Sequence, residues 1–139
     1  MCIRDSSTQV THKANLAAMR ACGIDALYSL TVCGSVDPAL TPGTLVAFDD
    51  LHFLSNRLPD GSICTWFDTP EAGRAHWIYE SPFSAQVRDA ALRAAAATGT
   101  TLVDGGCYGY VDGPRFNTRT EIAMLAAAGV SAVLSLIHI

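Results

Sequence analysis

Residues 29–35, Ser-Leu-Thr-Val-Cys-Gly-Ser, combine an apolar run with small and hydroxyl-bearing residues. If the apolar part is a buried strand, its carboxyl end faces the crevice in which open α/β sheets bind ligands. Free backbone N–H groups after such a strand, with the hydroxyls of Thr31 and Ser35 beside them, can hold an oxyanion such as phosphate. The same residues are also typical of an ordinary tight turn, so the pattern alone leaves both interpretations open.

A second group of residues with chemical potential lies at 112–121, Asp-Gly-Pro-Arg-Phe-Asn-Thr-Arg-Thr-Glu. Gly-Pro predicts a defined turn, after which Phe116 and Asn117 stand just before a helix. An aromatic face and an amide suit a planar heterocycle, because the ring stacks and the amide hydrogen-bonds an edge. The alternative is that Phe116 belongs to the core and Asn117 caps the helix. Glu121 is predicted to cap this helix rather than to catalyse.

His76 stands among aromatic residues in the segment 75–83. Because a lone histidine more often has a structural role, the residue type alone predicts no catalytic one. No second histidine or carboxylate lies at a spacing that would complete a metal site, so no metal is predicted. The sequence also lacks a nucleophile elbow and a GxxxxGK[ST] phosphate loop.

The elements that would position these residues alternate between helix and strand. Apolar periodicity and end signals predict helices at 11–22, 84–98 and 118–128, with Gly23, Gly99 and Gly129 after them. Apolar runs predict strands at 24–32, 44–48, 101–104, 108–111 and 130–133. Residues 49–75 have no clear period and are predicted to form a long loop. The alternation predicts an α/β fold with a mixed, partly parallel sheet flanked by helices.

Composition limits the class of protein. The chain has 139 residues, of which 50% are hydrophobic and 16% charged, and this suits one compact domain with its own core. The net charge is −4 and no basic run occurs, so neither a nucleic-acid surface nor an anionic membrane surface is expected. No apolar stretch approaches the roughly 18 residues of a membrane span. The five cysteines are irregularly spaced without a CxxC pair, which predicts reduced thiols in the cytoplasm.

The two ends of the chain, MCIRDS and LSLIHI, are related at the DNA level. One choice of codons for residues 1–6, read on the complementary strand, encodes residues 134–139. Such an inverted repeat resembles the transposon end used to prepare sequencing libraries. Residues 1–6 and 134–139 are therefore interpreted as adaptor-derived tags, and residues 7–133 as the central part of a single domain truncated at both ends.

Four motifs occur in an order and spacing that resemble the nucleoside phosphorylase family, which joins purine nucleoside phosphorylase and methylthioadenosine phosphorylase. They are VTHKANLAAM at 10–19, TVCGS at 31–35, LTPGTLV at 40–46 and GPRFNTRTE at 113–121. The last motif is the most specific, and together the four span essentially all of 7–133. The resemblance implies a phosphorylase/hydrolase-like fold, a homotrimeric parent protein, and phosphorolysis of a purine nucleoside. It implies no cofactor, since inorganic phosphate is a co-substrate.

Carried over by position, the resemblance gives roles to five residues. Thr31 and the backbone N–H of Val32 would contact phosphate, and Phe116 would line the base pocket. His76 resembles the residue that a neighbouring subunit contributes near the 5′ substituent of the sugar. Enzymes selective for 6-oxopurines carry Glu at the position of Asn117, and adenine-releasing members carry a small polar residue. Asn is closer to the second group, so methylthioadenosine is the expected substrate, and a 6-oxopurine nucleoside (inosine, guanosine or methylthioinosine) is the alternative.

The resemblance also implies that much of the site lies outside residues 7–133. The family's Gly/Ser phosphate loop and its Arg–His pair would precede residue 7. The methionine under the sugar, and the Asp or Asn that contacts the base, would follow residue 133. The chain alone is therefore expected to contain no catalytic residue and to lack turnover. Two further alternatives are hydrolysis, as in the related nucleosidases, and a folded remnant without a binding function.

Overall fold

The structure is a computed structural model that describes residues 11–58, 60–74, 80–112 and 115–135. The chain divides into two compact units. The first contains the described residues up to Leu27 and those from Leu54 to 74, and the second contains Tyr28–Phe53 and the described residues from 80 to 135. No helix in these ranges has the length and apolarity that crossing a membrane requires.

The described residues form three α-helices and six short strands. The helices are α1 (His12–Ala21), α2 (Ala85–Thr98) and α3 (Arg119–Ala127). The strands are β1 (Gly34–Ser35), β2 (Leu45–Ala47), β3 (Asp50–His52), β4 (Leu102–Asp104), β5 (Cys107–Val111) and β6 (Val130–Ser135). A 3-10 helix spans Pro70–Ala72. The succession of helices and strands confirms the predicted α/β class.

The first unit is organised around α1. Gly23 follows the helix with a left-handed φ of 72° and closes it as predicted, because glycine adopts this conformation without a steric penalty. Lys13 in the helix forms an ion pair with Asp68 in the irregular segment that completes the unit. Apart from the 3-10 helix and an isolated bridge, the described part of 54–74 is irregular, as predicted for this stretch.

The second unit contains a four-stranded sheet with the order β1-β6-β5-β3. β5 is parallel to both of its neighbours, and β1 runs antiparallel to β6 at one edge. β2 and β4 form a separate parallel pair. This arrangement confirms the predicted mixed, partly parallel sheet. β3 lies inside the predicted loop 49–75, and the loop prediction is wrong there because three residues, Asp-Leu-His, are too few to show a period.

The two parallel pairs β2–β4 and β3–β5 are made by the same two segments, 45–52 and 102–111. Partner residues are separated by 57 positions in both pairs, and so are Asp49 and Gly106 between them. The Oδ1 atom of Asp49 accepts a hydrogen bond from the Gly106 N–H at 2.8 Å. Gly105 and Gly106 have φ values of 92° and 131°, which residues with a Cβ rarely adopt. The segments thus form one parallel ladder that is interrupted at the same level in both strands.

Both helices of the second unit begin and end with the predicted signals. The Oγ atom of Ser84 accepts a hydrogen bond from the Val87 N–H at 3.4 Å, and Gly99 after α2 has a φ of 68°. At the start of α3, Thr118 Oγ1 accepts from the Glu121 N–H at 3.3 Å. In return, Glu121 Oε2 accepts from the Thr118 N–H at 2.7 Å. The predicted capping box is therefore confirmed.

The core of the second unit lies where α3 packs against β6. Its buried residues are Val36, Leu125, Val130 and Val133. Gly109 of β5 lies beneath the two valines of β6: a Cβ added there would stand 2.7 Å from Val130 Cγ1 and 2.9 Å from Val133 Cγ1. Because both distances are shorter than real contacts, glycine at this position is what lets the two valines pack over the sheet.

Residues 24–32 do not form the predicted strand. β1 covers only Gly34–Ser35, and the side chains of Leu30 and Val32 are 89% and 88% exposed. A strand needs a neighbour to pair its backbone N–H and C=O groups, and no strand of the described residues pairs with this segment. The prediction is wrong because apolar character indicates a tendency to be buried but does not supply the pairing strand.

Candidate functional site

Strand direction places the two predicted ligand-binding segments at one end of the four-stranded sheet. Because β1 is antiparallel to β6, the chain enters β1, shortly after Thr31 and Val32, from the side of the carboxyl end of β6. Because β5 is parallel to β6, the residues that follow β5, including Phe116 and Asn117, leave from that same end. The carboxyl ends of parallel strands are the usual position of a ligand crevice in α/β folds.

A cavity of about 370 Å³ lies beside Thr31 in the second unit. Small-molecule sites commonly have volumes of roughly 300–1,000 Å³, so this cavity is at the small end of that range. Its lining is mainly apolar with a few hydroxyls, from Leu30, Thr31, Cys33, Ser35, Leu40, Thr41, Pro42, Gly43, Thr44, Leu45, Val46, Phe48, Leu102 and Ala132. Phe116 and Asn117 do not line it. The cavity therefore lies between the segment predicted to bind phosphate and residues 40–48. The corner predicted to bind the base does not contribute to it.

Few donors in this cavity are free to hold an anion. The Oγ atom of Ser35 donates to the Asp37 carbonyl at 2.5 Å, so its proton is already engaged. Val32 does not line the cavity, and its N–H donates to no backbone carbonyl of the described residues. Among the described residues no Lys, Arg or His lines the cavity, so the described walls offer hydrogen bonds but no positive charge for phosphate. The phosphate contacts of Thr31 and Val32 stay a prediction.

An ion pair holds the corner that follows β5. Arg115 donates to Glu121 from both ends of its guanidinium, with Nη1 2.9 Å from Oε2 and Nη2 2.7 Å from Oε1. Arg115 Nη1 also donates to the Phe116 carbonyl at 3.1 Å. Phe116 is 73% exposed, so it does not belong to the core, and Asn117 is half-buried. The corner thus presents an aromatic ring next to an amide, as the heterocycle hypothesis requires.

The ion pair also determines the charge of this corner. Hydrogen bonds from the Arg115 guanidinium and from the Thr118 N–H lower the pKa of Glu121 to about 2. The carboxylate in turn raises the pKa of Arg115. Both groups are therefore charged at neutral pH and neutralise each other. Such a surface suits a neutral ring better than an anion.

Two tyrosines of β5 form an aromatic row that the sequence reasoning did not identify. Tyr108 packs edge to face against Phe48 with ring centroids 5.5 Å apart, and Tyr110 packs similarly against Phe53 at 4.8 Å. Burial raises the pKa of Tyr108 to about 12, with a further contribution from Cys33, and burial also raises the pKa of Tyr110. Because alternate residues of a strand share a face, the Tyr-x-Tyr spacing is the signal that could have found this row.

Residues 7–133 of the chain match the Phosphorylase superfamily. The chain belongs to this superfamily. It is 36% identical over 129 residues to the S-methyl-5′-thioadenosine phosphorylase of Mycobacterium tuberculosis. The aligned residues cover 92% of this chain and 44% of that protein. It is 32% identical over 125 residues to a probable S-methyl-5′-thioinosine phosphorylase of Xylella fastidiosa, with coverages of 90% and 51%.

A solved structure shows the same superfamily fold. Methylthioadenosine phosphorylase from Schistosoma mansoni matches with a TM-score of 0.77 at 21% identity, over 92% of this chain and 50% of that one. At this identity the similarity concerns the fold, and it confirms the predicted phosphorylase-like architecture. The chain spans about half the length of the curated relatives it matches.

Some residues that the sequence analysis named lie outside the described residues. They include His76, and Gly113 and Pro114 of the most specific motif. The role predicted for His76 therefore stays a prediction. Within the ranges that the structure describes, no group of three or more His, Cys, Asp or Glu side chains is placed to hold a metal ion.

Proposed function

We propose that this superfamily member is the central part of a nucleoside phosphorylase that converts methylthioadenosine and phosphate to adenine and methylthioribose 1-phosphate. The observation that carries the proposal is that, in a chain of this superfamily, the chain enters β1 shortly after Thr31 and leaves β5 shortly before Phe116 at the same end of the sheet. The name of the Mycobacterium tuberculosis relative supports the choice of substrate.

The proposed chemistry exchanges one bond at the anomeric carbon for another. A phosphate oxygen forms a bond to the anomeric carbon while the bond between that carbon and the purine nitrogen breaks. Negative charge builds on the departing base. Thr31 and the Val32 N–H would hold the phosphate, while Phe116 stacks on the base and the Asn117 amide hydrogen-bonds its edge. Holding both reactants in place can supply about 7–11 kcal/mol of the barrier reduction.

The assembly and the cellular role are also proposed at the level of the parent protein. It would be a cytoplasmic homotrimer of purine salvage that uses inorganic phosphate as co-substrate and no cofactor. His76 would approach the 5′ substituent of the sugar in the site of a neighbouring subunit. No nucleic-acid or membrane partner is proposed, in keeping with the net charge of −4 and the absence of basic runs.

A second candidate substrate is a 6-oxopurine nucleoside such as methylthioinosine, inosine or guanosine. The observation that favours it is the name of the Xylella fastidiosa relative, a probable S-methyl-5′-thioinosine phosphorylase. A protonated ring nitrogen of a 6-oxopurine needs an acceptor, whereas an amide such as that of Asn117 both donates and accepts. This position therefore offers the sharpest test of the two substrates.

The substitution Asn117→Glu, made in a full-length protein that contains residues 7–133, tests the role of this position. We expect the ratio of kcat/KM for methylthioinosine to that for methylthioadenosine to rise roughly 10- to 100-fold, because hydrogen bonds to a charged acceptor contribute about 1.5–3 kcal/mol. Asn117→Ser is the matched control and should keep the adenine preference. An unchanged ratio in the Glu variant would show that Asn117 does not contact the base.

Phosphate dependence separates the proposed phosphorylase from a nucleosidase. Adenine release by the full-length protein should require phosphate, and equal release in phosphate-free buffer would favour hydrolysis. Calorimetry of the 139-residue chain with phosphate and methylthioadenosine tests the remaining alternative, a remnant without a binding function. We expect weak binding without turnover, and a complete lack of binding would favour the remnant.

A further inference from the structure

Both peptide groups that flank Asn117 are held by one ion pair. The carbonyl before Asn117, that of Phe116, accepts a hydrogen bond from Arg115 Nη1 at 3.1 Å. The N–H after Asn117, that of Thr118, donates to Glu121 Oε2 at 2.7 Å. Since Arg115 and Glu121 are joined to each other by two further hydrogen bonds, the two ends of this short backbone segment are tied together.

We propose that Arg115 and Glu121 are positioning residues, which fix the backbone on both sides of Asn117 and so aim its amide and the Phe116 ring at a purine base. This inference rests on the proposed function. The two residues act through the direction that they impose on the side chains between them.

Helix capping alone does not account for the arrangement. The capping box needs only Thr118 and Glu121, whose reciprocal hydrogen bonds begin α3. Arg115 lies outside the helix and adds three hydrogen bonds, one of them to the Phe116 carbonyl. A stabilising role is also a poor explanation, because exposed ion pairs contribute little to folding. A bidentate guanidinium–carboxylate pair does, however, restrict geometry more than a single contact does.

The exposed position of Phe116 makes such a restraint useful. With 73% of its surface exposed, the ring has few packing neighbours that could hold its direction. Ordering a free backbone on binding costs conformational entropy for every residue that becomes fixed. A corner whose backbone is fixed beforehand avoids that cost when a ligand arrives.

The test uses the 139-residue chain labelled with nitrogen-15 and the substitution Arg115→Met, which keeps the length of the side chain without its donors. We expect faster amide exchange at Thr118, a lower heteronuclear NOE at residues 116–118, and about tenfold weaker binding of methylthioadenosine, because the backbone must be ordered on binding. The melting temperature at neutral pH should fall only slightly, because an exposed ion pair contributes little to stability. Arg115→Lys should recover part of the order and affinity, since it can restore one of the hydrogen bonds.

Arg119→Met is the matched control, because Arg119 is an exposed residue of the first turn of α3 that forms no ion pair with another described residue. It should leave the NOE values and the affinity unchanged. If Arg115→Met changes neither quantity, or if Arg119→Met changes them equally, the positioning role is wrong even where nucleoside binding is intact. If the unmodified chain binds no methylthioadenosine but residues 116–118 lose order in Arg115→Met, the restraint on the backbone is supported and its use for a purine base is contradicted.

Discussion

Glu121 illustrates how its partners decide what a carboxylate can do. It accepts hydrogen bonds from Arg115 and from the Thr118 N–H, and these lower its pKa to about 2. A general base works best when its pKa is near the operating pH, so a carboxylate with this pKa is a poor base at neutral pH. The prediction that Glu121 caps a helix is confirmed, and the prediction that it does not catalyse stays a prediction.

The same pKa gives stability a defined pH dependence. Because the pKa of Glu121 in the folded chain is about 2, below its ordinary value of 4.5, the carboxylate stabilises the fold above pH 4.5 and this contribution disappears as the pH falls toward 2. We expect Glu121→Gln to lower the melting temperature at neutral pH, and the difference from the unmodified chain to shrink between pH 4.5 and pH 2. Thermal unfolding followed by circular dichroism measures this difference.

Glu80→Gln is the control for this pH series. Glu80 is an exposed carboxylate that forms no ion pair with another described residue, so its substitution should give a small difference that changes little with pH. A constant difference for Glu121→Gln across the same range would mean that the ion pair and cap do not form in solution.

At the scale of elements, the sequence correctly predicted the helix ends, which depend on neighbouring residues. It failed for strands whose formation depends on a partner strand distant in the sequence. The helix ends are local: Ser84 and Thr118 cap, and Gly99 closes, through contacts within four residues. Strand formation at 24–32 depends on a partner strand that the described chain does not provide, so an apolar pattern was insufficient there. β3 was not predicted for the opposite reason. Its three residues show no apolar alternation, and they form a strand because β5 provides a pairing partner.

The site followed the same rule. The residues Phe116 and Asn117 could be selected because a turn signal and a capping box bracket them in the sequence. The link from Arg115 to Glu121 could not be selected, because the sequence offers several charged residues near α3 and only the turn geometry decides which of them meet. Likewise, the cavity beside Thr31 depends on segments that are distant in the chain.

The packing of β5 against β6 gives a prediction about a single methyl group. Gly109→Ala would place a Cβ 2.7 Å from Val130 Cγ1 and 2.9 Å from Val133 Cγ1, so we expect a loss of about 1–3 kcal/mol from overpacking. The entropic gain of replacing glycine by alanine, about 0.4–1 kcal/mol, is too small to offset it. The urea midpoint of unfolding is the measurement.

Gly34→Ala serves as the control for the same sheet. A Cβ at Gly34 would lie 3.8 Å or more from the nearest atoms of Val133, which is an ordinary contact. Its urea midpoint should be unchanged or slightly higher. Equal midpoints for the two variants would imply that β5 and β6 can move apart, and that the close approach at Gly109 does not constrain the sheet.

At the scale of the whole molecule, apolar side chains divide into a small buried set and a larger exposed one. The buried set of the second unit centres on Leu125 and three valines, whereas large side chains such as Leu30 and Leu54 are more than four-fifths exposed. The chain also spans about half the length of the relatives it matches. Folding free energy in the described chain therefore depends on few residues.

Two substitutions of the same type measure how uneven this dependence is. Leu125→Ala removes a side chain that is 9% exposed, and we expect it to cost about 2–5 kcal/mol of unfolding free energy. Leu30→Ala removes one that is 89% exposed and should change it by about 0.5 kcal/mol or less. Urea unfolding of both variants, followed by circular dichroism, gives the comparison. Similar losses in both would show that Leu30 is buried in solution and that the core is larger than described.

The interrupted ladder formed by 45–52 and 102–111 restricts how related chains can differ in length. Partner residues are 57 positions apart before, at and after the Asp49–Gly106 contact. The interruption therefore contains the same number of residues in both segments. Deleting one residue between β2 and β3, or between β4 and β5, would turn every side chain of the following strand to the opposite face of the sheet. Insertions and deletions at 48–49 or 105–106 are therefore tolerated only as compensating pairs, while changes of length elsewhere between residues 53 and 101 leave the ladder in register.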